Sequence, residues 1–161
     1  MRIDNQITKG TVLLEEYIPL KFISDKKNTS LGYVRYSKDN KSLLEFTFEA
    51  SSKQLYRILL VLCEDFSVND CYFSLPVAFE YGSLLFEESI DKECSVFYCE
   101  VFKDAVTIKL SERKVNNSII SDNILWEIDD QNELISITLL NLSKKEVEHT
   151  ITELQYMQSM H

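Results

Sequence analysis

The stretch 104–143 constrains the fold more than any other part of this chain. Within it, residues 105–110, 123–129 and 133–142 alternate apolar and polar side chains. Turn-forming groups such as Asp129-Asp130-Gln131-Asn132 separate them. A period of two puts one face of each segment in a core and the other in water, the pattern of neighbouring antiparallel strands. In the middle segment Ile124, Trp126 and Ile128 share one face, while Leu125, Glu127 and Asp129 share the other.

The rest of the chain extends this reading. Residues 10–23 carry an interrupted alternation that Pro19 breaks, which predicts an edge strand or a kink. A polar connection over 25–30 leads to a hairpin, 31–36 and 42–49, turning at Lys38-Asp39-Asn40-Lys41. Ser51-Ser52 then reads as a helix N-cap. Leu55, Ile58, Leu59, Leu62, Cys63 and Phe66 recur at helical spacing behind it, predicting a helix over 52–66. Segment 77–86 suits a short helix or a loop, 87–93 an exposed acidic turn, and 94–102 a strand. A final amphipathic helix over 144–157 has Val147, Ile151 and Leu154 on one stripe. Ser143 caps it, and Glu146 completes a capping box. Together these predict one α+β domain over 1–161: a twisted, mainly antiparallel sheet with a central-region helix and a C-terminal helix packed on it.

Charge narrows the range of partners. Residues 1–79 hold ten acids and ten bases, whereas 80–133 hold thirteen acids and five bases, so nearly all of the net charge of −9 lies in the middle third. Such a field repels nucleic acid and anionic membranes and attracts basic proteins. The longest apolar run, 58–63, is too short for a membrane span. The opening Met1-Arg2-Ile3-Asp4-Asn5-Gln6 lacks the apolar core of a signal peptide, so a cytoplasmic location is the expectation.

Chemistry is sparse. Two histidines, His149 and His161, leave little for a catalytic pair or a histidine metal site. His149 is expected to face solvent. No two of Cys63, Cys71, Cys94 and Cys99 are two residues apart, so free thiols are expected rather than a metal or redox motif. Gly10, Gly32 and Gly82 are isolated and form no phosphate loop. The run 129–133 lacks the alternating ligands and the glycine of a calcium loop and reads as a hairpin turn. No catalytic residue, metal or cofactor is expected, and the protein is not expected to be an enzyme.

The segments Ala105-Val106-Thr107-Ile108-Lys109-Leu110-Ser111, Ile124-Leu125-Trp126-Glu127-Ile128-Asp129 and the strand from Leu134 to Ser143 together resemble the small bacterial YuzE-like domain of unknown function. Asp104, Asp129-Asp130, Asn141 and Ser143 fit that pattern, while Asn132 and Ser136 stand where the family has glycine. Asparagine also accepts positive φ, so the first departure is physically tolerable. The resemblance covers about 45 of the 161 residues and implies a fold but no activity.

In style the whole chain is similar to bacterial immunity proteins of the contact-dependent inhibition type: small, acidic and without a catalytic constellation. That implies a binding protein that plugs the basic cleft of a cognate toxin or nuclease. Its expected partner-binding residues are Glu87, Glu88, Asp91, Glu93, Trp126, Asp129, Asp130 and Glu133. Trp126 fits core packing as well as an aromatic anchor at such an interface. The alternative is a stand-alone scaffold or homo-oligomerisation module of the YuzE-like kind.

Overall fold

Most of the expected alternation becomes strand, but in two facing sheets rather than one. The computed structural model describes residues 1–25 and 30–160. Residues 26–29 of the expected polar connection, and His161, lie outside the described residues. In chain order the strands are β1 (Arg2–Asp4), β2 (Gly10–Val12), β3 (Leu20–Ser24), β4 (Leu31–Lys38) and β5 (Ser42–Glu49). There follow β6 (Leu55–Leu62), β7 (Phe66–Val68), β8 (Glu80–Tyr81), β9 (Ser83–Leu85) and β10 (Ile90–Glu93). The last are β11 (Tyr98–Val101), β12 (Val106–Lys109), β13 (Asn117–Ser121), β14 (Ile124–Ile128) and β15 (Leu134–Leu139), before helix α1 (Lys144–Ser159).

One sheet has the order β10-β4-β5-β6-β3-β2 and the other β7-β11-β12-β15-β14-β13-β8, with β1 and β9 as a separate pair. Pairing is antiparallel except where β10, β7 and β8 join β4, β11 and β13 in parallel at sheet edges. The apolar faces meet in one core. Phe46 of β5 touches Trp126 of β14 at a ring separation of 5.6 Å. Phe86, just past β9, fills the remaining space at 5.4 Å from Phe46 and 6.0 Å from Trp126. Both sheets are thus held by aromatic rings that interdigitate at their centre.

The expected helix over 52–66 is instead strand β6. Register shifts against β5 pair Phe48 with Leu55 but Thr47 with Arg57, and Leu44 with Leu60 but Leu43 with Leu62. Each shift inserts one extra residue, a β-bulge. The inward side chains Leu55, Ile58, Leu60 and Cys63 therefore fall three, two and three apart. Spacings of three imitate a helix. Ser51-Ser52 is not a cap either: the Glu49 carboxylate accepts from the backbone N–H of Ser51 at 3.0 Å and Ser52 at 2.7 Å. Lys53, at φ 65°, then turns the chain back into β6. Segment 77–86 resolves as β8 and β9, the acidic turn 87–93 contains β10, and β13 was not anticipated.

Helix α1 matches expectation, with Ser143 Oγ accepting from Glu146 N at 3.1 Å and Glu146 accepting from Ser143 N at 2.8 Å. Thr150 donates to Pro19 O at 2.8 Å, and His149 Nε2 lies 2.9 Å from Ile18 O. His149 therefore does not face solvent as expected. The helix thus meets the carbonyls of Ile18 and Pro19, just ahead of β3.

Segment 69–79 spans the seven-stranded sheet from the β7 edge to the β8 edge. Its Phe73 packs on Ile120, Leu125 and Leu140, the face opposite Trp126. The sheet is about 29 Å wide at six strand spacings. The chain from Val68 to Glu80 reaches up to about 40 Å, so this strap is long enough to cross the sheet in a single pass.

Trp126 is fully buried, so Trp126→Ala is expected to lower unfolding free energy by about 3–5 kcal/mol. Glu88→Gln, at an exposed position, should change it by less than about 0.5 kcal/mol. Urea unfolding followed by circular dichroism checks both.

Candidate functional site

The chain leaves the six-stranded sheet after β10 and enters the other at β11. Beside this crossing, between the two sheets, lies a cleft of about 510 Å³. Its walls are residues 92–95, the loop 110–113 after β12, and Glu133-Leu134 at the start of β15, with Tyr36 of β4 also lining it. A smaller cavity of about 120 Å³ adjoins it, lined by Glu87, Glu88, Ile90 and Phe86. Tyr36, Lys92 and Glu133 line both. Lys92 Nζ donates to Glu133, so the two cavities form one trough crossed by an ion pair that links β10 of one sheet to the turn just before β15 of the other.

The trough brings together most of the expected carboxylates. Glu87 pairs with Arg2 at 2.9 Å and Asp91 stands 3.9 Å from Arg35. Glu93 accepts from Ser37 Oγ at 3.2 Å and from Asp39 N at 3.0 Å. Glu88 and Asp130 are exposed and have no ion-pair partner among the described residues. Trp126 does not belong with them. Its inward position on β14 buries it in the core, so the reading of it as an interface anchor is corrected.

Asp129 is a structural carboxylate rather than an exposed one, at 4% exposure. Its Oδ1 accepts from Gln131 N at 2.8 Å and Glu133 N at 2.9 Å, and its Oδ2 pairs with Arg113 at 2.9 Å. These bonds close the 129–133 turn, in which Asn132 takes φ 58°. Burial pushes the Asp129 carboxyl up, but the two backbone donors with Arg113 and Lys92 outweigh it and hold it below the usual range.

Tyr36, Lys92, Cys94 and Arg113 were not anticipated. Tyr36 is hidden in an ordinary alternating strand, and Arg113 in a polar loop; only contacts distant in sequence bring them here. Tyr36 is 3% exposed and its hydroxyl has no hydrogen-bond partner among the described residues. Burial, then the Glu133 charge, pushes this phenol far up, while Arg113 opposes. Burial and Glu93 likewise push the Cys94 thiol up, against Lys92 and the Ser37 contact. Both groups are thereby held in their neutral, protonated forms near pH 7.

Because the Asp129 carboxyl is lowered, its contribution to stability is present above the unfolded value of about 3.9 and is lost as pH falls through the lower folded value. Asp129→Ala is expected to cost about 1–3 kcal/mol near neutral pH. That deficit should shrink below about pH 4 in urea titrations run across pH. Comparison with protein-family models gives no match for this chain, and comparison with curated proteins gives none either, so function is read from this geometry.

Proposed function

We propose that the protein is a non-enzymatic binding protein, an immunity-type inhibitor that covers the basic cleft of a toxin or nuclease domain with an acidic surface. One observation carries this reading: Glu87, Glu88 and Glu93 meet Glu133, which closes the acidic 129–133 turn far away in sequence, along one trough bridged by Lys92 and Glu133. The unpaired Glu88 and Asp130, with the loosely held Asp91, would steer a basic partner toward the trough. Glu87, Glu93 and Glu133 already have internal partners, and would exchange some of them for the partner's lysines and arginines. Occlusion then follows from displacing the phosphates that such a partner binds. A bacterial, cytoplasmic setting accompanies this reading. Among the described residues no helix is long and apolar enough to cross a membrane.

Self-association as a scaffold of the YuzE-like kind has a separate observation in its favour. The strap exposes Tyr72, Leu75 and Val77, and Tyr81 of the adjoining β8 is exposed too. Exposed apolar clusters of this kind are common at interfaces. This reading predicts a solution mass that rises with concentration and becomes monomeric in a Leu75→Lys/Val77→Lys variant.

The inhibitor reading is tested by co-elution with the product of the adjacent gene. It predicts a stoichiometric complex whose association rate falls by about tenfold or more from low to high salt. The Glu88→Lys/Asp91→Lys/Asp130→Lys variant should slow association in the same way. Salt-independent association, or no response to the triple reversal, contradicts it.

A further inference from the structure

Within the trough, one group finds no hydrogen-bond partner among the described residues. The Tyr36 side chain is almost wholly buried, yet its hydroxyl is left unsatisfied by them. It lies within electrostatic reach of Glu133, Cys94 and Arg113, all of which line the cleft. Folded proteins rarely leave a buried polar atom unsatisfied without a ligand or water to meet it.

The cation already present indicates what chemistry fits. Lys92 Nζ lies 5.8 Å from the centre of the Tyr36 ring and donates to Glu133 Oε2. An ammonium is thus held by a carboxylate over an aromatic face. Around it the trough presents the carboxylates of Glu87, Glu88, Glu93, Glu112 and Glu133 and the side-chain cations of Lys92 and Arg113, while Arg2 and Lys109 from outside it pair with Glu87 and Glu112. Both of those cations are already bonded to carboxylates, Lys92 to Glu133 and Arg113 to Asp129. Neither lining side-chain cation is uncommitted, whereas Glu88 and Glu93 have no ion-pair partner among the described residues, so the balance favours a cationic ligand.

We propose that the trough is a receptor for an arginine side chain of the basic partner, an inference that rests on the inhibitor reading above. The guanidinium replaces Lys92 on Glu133 and extends a further N–H to the Tyr36 hydroxyl, while Leu110 and Leu134 flank its aliphatic stem. A planar fork of five donors can address two acceptors at once, which a compact ammonium cannot do as well. Lys92 is then an internal competitor that keeps the site filled until the partner arrives.

The test needs no partner. N-acetyl-arginine-amide is titrated into the full-length ¹⁵N-labelled protein, following the amide resonances of Cys94, Arg113 and Glu133. Saturable shifts are expected, with N-acetyl-lysine-amide binding more weakly. Glu133→Gln is expected to weaken binding by about tenfold or more, the loss of a hydrogen bond to a charged group. Tyr36→Phe should weaken it by about fivefold without lowering the unfolding midpoint, since it removes an unsatisfied hydroxyl. Lys92→Met should strengthen binding, whereas Lys144→Met, an equal change of charge next to Glu148 on helix α1, should leave it unchanged.

The inference is overturned by an absence of saturable shifts, by equal binding of the lysine probe, or by weaker binding in Lys92→Met. Arginine-probe binding with no co-eluting basic protein would remove the inhibitor reading alone. Partner binding that ignores both Tyr36→Phe and Lys92→Met would remove the arginine site alone.

Discussion

Burial of aromatic rings between two sheets is the constraint on which everything else rests. Trp126, Phe46, Phe48 and Phe86 are each 2% exposed or less, and they come from β14, β5 and the segment after β9. No pair of neighbouring strands could bury them alone. Bringing both sheets face to face does so, and it forces the chain to cross between sheets wherever a strand of one is followed by a strand of the other. The crossing from β10 to β11 is where the trough forms. The site thus follows from core packing and requires no separate device.

The same packing determines how the trough is charged. β10 is an edge strand, and its Lys92 reaches across to Glu133 in the turn before β15. That turn is held in shape by Asp129, whose buried carboxylate accepts two backbone N–H groups and the Arg113 guanidinium. The charges divide accordingly. Asp129 spends its charge on architecture, Glu133 bridges the sheets, and Glu88 and Asp130 remain open to solvent. An acidic surface here is not a uniform field but a graded one, with the outermost carboxylates the least committed. That grading suits early electrostatic steering followed by a slower exchange of ion pairs near Tyr36.

The strands that alternate cleanly could be read in advance, and so could helix α1, because period and capping chemistry are local. Residues 42–49, 105–110, 123–129 and 133–142 correspond to β5, β12, β14 and β15, and the Ser143–Glu146 capping box is in place. β6 was misread because two bulges space its inward residues by three, and a bulge is set by the partner strand rather than by local sequence. β13 was missed because its sequence, Asn117-Ser118-Ile119-Ile120-Ser121, is rich in serine and asparagine and shows no alternation. The acidic half of the site was visible as a charge bias over 80–133. Tyr36 and Arg113 were not, since nothing local distinguishes a strand tyrosine that lines a cleft from one that packs wholly in the core. Trp126 was the opposite case: of its two readings, packing alone survives.

Hydrogen exchange of the chain, free and bound to its co-eluting partner, tests the central claim most directly. Occlusion by the acidic trough predicts slowed exchange in residues 87–95, 110–113 and 129–134, with the strap 69–79 unchanged. Protection confined to the strap, with the trough segments exchanging as in the free protein, would contradict it.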